Sequence, residues 1–130
     1  RDIALYFERH ANPKRPMPGA LETLRAVKQR GLRQGIISNA QFYTRIELDE
    51  MLGIGFFDPA LIFLSCDLGV AKPDPALFRR AAAIIAPAEC LVVGDSTEND
   101  IAPAREVGFD AVLFGPSGDI QALPQLLERL

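Results

Sequence analysis

The chain has 130 residues, 48% of them hydrophobic and 24% charged, with a formal net charge of −3. That is the size and mixture of one globular domain able to bury a core. Both charge signs are spread along the sequence without a basic block, which argues against a nucleic-acid surface, and the longest apolar runs, such as 81–88, are far too short for a membrane span. Residues 1–10 carry charges at both ends and do not form a signal peptide. Cys66 and Cys90 lack metal-ligand spacing and lie at or beside apolar segments. They are read as buried free thiols, which favours a reducing, cytoplasmic setting. The chain opens on Arg1 rather than Met, so a fragment or a trimmed product is expected.

Residues 2–9 are apolar enough for a short helix or a strand, and their pattern does not separate the two. Residues 10–18 hold three prolines and two basic residues and read as a linker. His10, the single histidine, borders that linker and is read as a surface residue. Pro18 opens a helix carrying Leu21, Leu24, Val27 and Lys28 at helical spacing, with Gly31 as its C-cap. A short apolar strand at 35–37 ends in Ser38-Asn39-Ala40. A helix over 43–52 follows, with Ile46, Met51 and Leu52 on its apolar side and Gly53 at its end.

A third segment, 61–64, is a strand, and 65–73 reads as a loop. Asp74 then looks like an N-cap with Pro75 in first helical position, for a helix over 76–85 that Pro87 ends. A strand at 91–93 and a short helix at 101–107 come next. Pro103 fits that helix only in its first turn or at a kink, so a late start is expected. Gly108 caps it, 111–114 is a further strand, and 120–130 is a final amphipathic helix. Alternating strands and helices predict a doubly wound, Rossmann-like α/β fold, with a parallel sheet, right-handed crossovers and helices on both faces.

The most informative stretch is 91–100, where an apolar strand breaks at Gly94 into two acids, Asp95 and Asp100, five positions apart. Ser96 or Thr97 is placed to cap the following helix. Asp95 then stands at the carboxyl end of a strand, where open α/β sheets bind their ligands. Paired carboxylates there suit Mg²⁺, although Gly, Asp and Ser also make ordinary turns. Two other strand ends carry related chemistry. Ser38 and Asn39 offer a hydroxyl, an amide and backbone N–H groups to phosphate oxygens, or else begin a turn. Lys72 offers a compact positive charge to a phosphate or a carboxylate, or else lies in a solvated loop held extended by Pro73. Together the three ends point to a phosphate and its metal.

Three segments carry a family resemblance: Gly35-Ile36-Ile37-Ser38-Asn39, Gly69-Val70-Ala71-Lys72-Pro73-Asp74-Pro75-Ala76-Leu77-Phe78, and Val93-Gly94-Asp95-Ser96-Thr97-Glu98-Asn99-Asp100-Ile101. With them the chain resembles the carboxyl-terminal part of a haloacid dehalogenase (HAD) superfamily hydrolase, of the phosphatase type with a small helical cap. The resemblance runs from about Pro18 to Gly115. It implies that Ser38 hydrogen-bonds the transferring phosphoryl group, with Asn39 in the phosphate-binding loop supporting it. It implies that Lys72 stabilises charge on that group and on a nucleophilic carboxylate. Asp95 is implied as a direct Mg²⁺ ligand, with Asp100 acting through the metal's water shell or on Lys72. The implied substrate is a small phosphorylated metabolite.

The family's first motif, Asp-x-Asp-Gly-Thr, is absent from the sequence. In the family its first Asp is the nucleophile that forms an aspartyl-phosphate and its second is the general acid. That motif ends the central strand, between the Ser38 strand and the Asp95 strand, so the sheet is expected to have a gap with two unpaired inner edges that favour association. Residues 1–17 are then the tail of the helical cap and a linker, and 18–130 an incomplete α/β core. An alternative places residues 2–8 in the vacant strand position. The expected function is Mg²⁺-dependent phosphoryl hydrolysis, with negligible turnover by the 130 residues alone. A catalytically inactive HAD-like binding or regulatory module is the alternative. A dehalogenase is disfavoured by the Asp95 and Asp100 pair.

Overall fold

A computed structural model describes residues 2–114, so the helix expected over 120–130 lies outside the described residues. Residues 2–9 are helical: α1 spans Asp2–Ala11. That result removes the alternative in which this segment fills a strand position. Helix α2 (Ala20–Gln29) ends at Arg30, and Gly31 follows with φ of 72°. Only glycine adopts that left-handed conformation without strain, which is why the helix stops there. Then come β1 (Ile36–Ser38), α3 (Thr44–Leu52), β2 (Ile62–Leu64), α4 (Ser65–Leu68) and α5 (Ala76–Ala82). Strand β3 (Leu91–Gly94), α6 (Ala102–Glu106) and β4 (Asp110–Leu113) complete the described chain.

The strands form two parallel pairs. β1 pairs with β2, in register Ile36 to Ile62 through Ser38 to Leu64. β3 pairs with β4, from Leu91 opposite Asp110 to Gly94 opposite Leu113. Among the described residues no ladder joins the two pairs, so β1 and β3 each keep one unpaired edge. Val93 on β3 is 43% exposed, although a central strand of this kind of sheet normally buries its valines. The gap expected between the Ser38 and Asp95 strands is therefore present.

One apolar core nevertheless runs across both pairs. It joins Leu61 and Phe63 at β2, Leu77, Phe78 and Ala81 on α5, Ile101 and Ala104 around α6, and Phe109 and Ala111 at β4. Leu77, Phe78 and Leu64 are almost wholly buried. Each such side chain stabilises the fold by about 1.5–3 kcal/mol through removal of apolar surface from water. This core fixes the strand ends relative to one another even without a continuous ladder.

Several local expectations change. The segment expected as a loop opens with α4, whose C-cap Gly69 has φ of 70°. The helix around Pro103, by contrast, does start late, at Ala102. A wide turn over Thr97–Ile101 precedes α6, and the Ile101 N–H bonds the Ser96 carbonyl at 3.1 Å, five residues back. Pro103 then falls in the first turn of α6, where its missing N–H is not needed. Helix α5 ends at Ala82. On α3 the buried residue is Glu47, at 7% exposure, while Ile46 is 47% exposed. Lys14 explains the inversion, because its ammonium lies 2.8 and 3.0 Å from the two Glu47 carboxylate oxygens. Both cysteines are free thiols, but only Cys90 is even partly buried, and Cys66 is exposed. No described helix is long and apolar enough to cross a membrane.

Candidate functional site

Asp100 is the most enclosed polar residue of the strand-end cluster. It lies on the wide turn after β3 and is 7% exposed. Gly94 makes that position possible. A Cβ at Gly94 would meet the Asp100 Cβ at 2.3 Å and its Cγ at 2.6 Å, distances that real side chains do not reach. The glycine that ends the strand is thus a packing requirement as well as a strand breaker. Ser96, rather than Thr97, caps the turn: its Oγ accepts the Asn99 N–H at 3.0 Å. The Ser96 backbone N–H in turn donates to Asp100 Oδ2 at 3.1 Å.

The other Asp100 oxygen receives the Lys72 ammonium in a short ion pair, and both side chains are nearly enclosed. Lys72 arrives from the loop between α4 and α5, and its peptide bond to Pro73 is cis. The pair is a charge-assisted hydrogen bond shielded from most solvent, where the attraction is weakly screened. In the structure Asp100 pairs directly with Lys72.

Asn39, at the end of β1, reaches the same loop. Its side-chain Nδ2 donates to the Lys72 carbonyl at 3.0 Å, and its Oδ1 accepts the Lys72 N–H at 2.7 Å. Ser38 is half-buried, and its hydroxyl donates to the Asn39 carbonyl at 3.2 Å. Such a local bond is readily exchanged for a ligand oxygen. Asp95 is exposed at the end of β3, and no hydrogen bond or ion pair joins its side chain to another described residue. The structure therefore gathers Asn39, Lys72 and Asp100 into one bonded chain, while Ser38 and Asp95 stand at the ends of the strands on either side.

Ser65 is a contributor that the sequence reading passed over. Its Oγ accepts the Ala40 N–H at 2.9 Å and lies 3.3 Å from the Ala40 carbonyl. It pins the turn just after Ser38 and Asn39. The signal was available: Ser65 follows β2 directly, and β2 ends level with Ser38.

The donor set fits a hard divalent cation in type, since Mg²⁺ is commonly held by one or two carboxylates with water and phosphate oxygens completing its shell. Asp95 has a free carboxylate, whereas both Asp100 oxygens already accept a donor. No cluster of three or more metal-ligating side chains occurs among the described residues. Asp95 is therefore the better direct ligand and Asp100 the better partner for Lys72.

Residues 3–108 match the family of haloacid dehalogenase-like hydrolases. The chain belongs to this family. A HAD phosphatase from Thermococcus onnurineus superposes with a TM-score of 0.80 at 25% identity, over 96% of this chain and 64% of its own. Phosphoserine phosphatase of Thermus thermophilus is 31% identical over 115 residues, which is 86% of this HAD chain and 45% of the relative. Glyceraldehyde 3-phosphate phosphatase of Pyrococcus furiosus is 35% identical, covering 89% of this chain and 55% of its own. The chain spans about half the length of the curated relatives it matches. It is a partial HAD domain, and its split sheet is the structural mark of that.

Proposed function

We propose that this chain forms most of the catalytic core of a Mg²⁺-dependent phosphatase acting on a small phosphorylated metabolite in the cytoplasm. The observation that carries this reading is the enclosed Lys72–Asp100 pair, held between the ends of β1 and β3 with Ser38 and Asp95 beside it. A desolvated lysine at a strand-end cluster is suited to offset charge that builds on a phosphoryl group. The phosphatase names of the relatives support the same reading.

In this proposal the nucleophilic aspartate comes from a strand outside the 130 residues, inserted between β1 and β3. Its carboxylate oxygen bonds phosphorus as the bond to the leaving alcohol breaks, and water then releases phosphate from the aspartyl-phosphate. Ser38 donates its hydroxyl hydrogen bond to a phosphoryl oxygen. Lys72 lies between that oxygen and Asp100, which keeps its ammonium oriented. Asp95 holds the Mg²⁺, which when bound supplies further positive charge against the phosphoryl oxygens. Residues 1–17 belong to the cap and its linker, and the exposed Ile3, Tyr6 and Phe7 on α1 support that assignment, because a cap would cover them. The two unpaired strand edges also favour association of the isolated chain.

The test is Asp95→Asn in the protein carrying its upstream nucleophile segment. It is expected to abolish magnesium-dependent hydrolysis of a generic aryl phosphate, and unchanged activity would remove the metal assignment. An inactive HAD-like binding module is favoured by one observation, the absence of Asp-x-Asp from these residues. It predicts phosphate binding without turnover in the same assay.

A further inference from the structure

Lys72 stands in a loop that joins no strand ladder, so its backbone needs another anchor if its charge is to occupy one place. A lysine side chain has four carbons and high rotamer freedom, and reaches a fixed point only from a fixed Cα. The anchor is Asn39. Its amide presents one donor and one acceptor, as a peptide group does, and it pairs with both backbone groups of Lys72, at 3.0 and 2.7 Å. The β1–β2 ladder stops at Ser38 opposite Leu64, and the side chain of the next residue pairs instead with the loop between α4 and α5. Asn39 is exposed, so water was available to satisfy its amide. Two direct bonds to a single residue's backbone are therefore a geometric choice rather than a need imposed by burial.

The chain of contacts continues from Lys72 to Asp100 and from Asp100 to the Ser96 N–H beside Gly94. It thus runs from the end of β1 to the end of β3, across the interval that no backbone ladder bridges. We propose that Asn39 is a positioning residue that sets the Lys72 ammonium against Asp100, rather than a ligand of the phosphoryl group. This rests on the phosphatase reading for its catalytic consequence, but not for its structural content.

Two measurements test it. In the 130-residue chain, Asn39→Ala is expected to speed hydrogen exchange at the Lys72 amide and to collapse the slowly exchanging nitrogen-15 signal of its ammonium. Asn39→Asp, which keeps the acceptor and loses the donor, is expected to retain part of both. An unchanged Lys72 ammonium signal in Asn39→Ala overturns the proposal. In the protein with its nucleophile segment, Asn39→Ala is expected to lower kcat about ten- to a hundredfold with little change in KM, as lost supporting contacts do. In a Lys72→Ala background the same substitution is expected to change kcat less than about twofold, because both act through one group. An equal loss in both backgrounds overturns the proposal and makes Asn39 a direct ligand. Absence of any hydrolysis by the unaltered protein would defeat the phosphatase reading alone, since the ammonium signal still decides the role of Asn39.

Discussion

Around Leu77 and Phe78 the chain is packed on every side, at 0% and 1% exposure, whereas α1 leaves Ile3 73% and Phe7 64% exposed. Helix α1 and its linker reach α3 through ion pairs: Arg9 with Glu50, and Lys14 with Glu47. Lys14 also reaches back to Glu8 at 2.8 Å. Asn12 supports that carboxylate from the linker, 2.9 Å away. A ten-residue helix is marginal in water on its own. Its place therefore depends on charges near the surface, while the core depends on buried apolar area. The functional cluster lies between these regimes, with charged groups fixed by a packed scaffold.

The contrast can be broken from the core side first. Leu77→Ala is expected to lower global stability by about 2–5 kcal/mol through lost burial and a residual cavity. Urea denaturation followed by circular dichroism reads this directly. Lys72→Met removes the partner of a nearly enclosed Asp100 and is expected to destabilise by about 3 kcal/mol, since a charge left without its partner is poorly solvated. A loss below about 1 kcal/mol in the same denaturation experiment would mean that water already reaches Asp100. Gly94→Ala forces Asp100 away from its present position and is expected to destabilise by about 1–3 kcal/mol by overpacking.

The α1 side responds to conditions rather than to packing. The Lys14 ammonium, followed by the Asn12 amide, holds the Glu8 carboxyl below the ordinary carboxylate range. A lowered carboxylate pKa gives stabilisation that is fully present above the ordinary value and is lost as pH falls through the lowered one. Amide protection factors over Asp2–Ala11, corrected for the intrinsic exchange rate at each pH, are therefore expected to fall at acid pH and in high salt before those of α5 respond. Simultaneous loss of protection in both helices would show that α1 is part of the core after all.

Much of this was legible in the sequence because the signals are local. Short apolar runs marked all four described strands, and the Gly94-Asp95 break marked the end of β3. The missing Asp-x-Asp anticipated the division of the sheet into two pairs. What escaped was set by partners distant along the chain. Glu47 is buried because Lys14, thirty-three positions away, neutralises it, and no helical periodicity encodes that. The Asn39 clamp on Lys72 likewise spans thirty-three positions. Residues 2–9 were ambiguous because a short apolar segment suits either regular structure, and only its docking by charge on α3 decides between them.

The proposed role of these strand ends is to handle a phosphoryl group with magnesium. It is tested most directly by the rate of aryl phosphate hydrolysis against magnesium concentration, using the protein with the proposed upstream nucleophile segment. A saturable magnesium-dependent rate that disappears in Asp95→Asn and falls steeply in Lys72→Ala is expected. A rate indifferent to chelator and to both substitutions would contradict it.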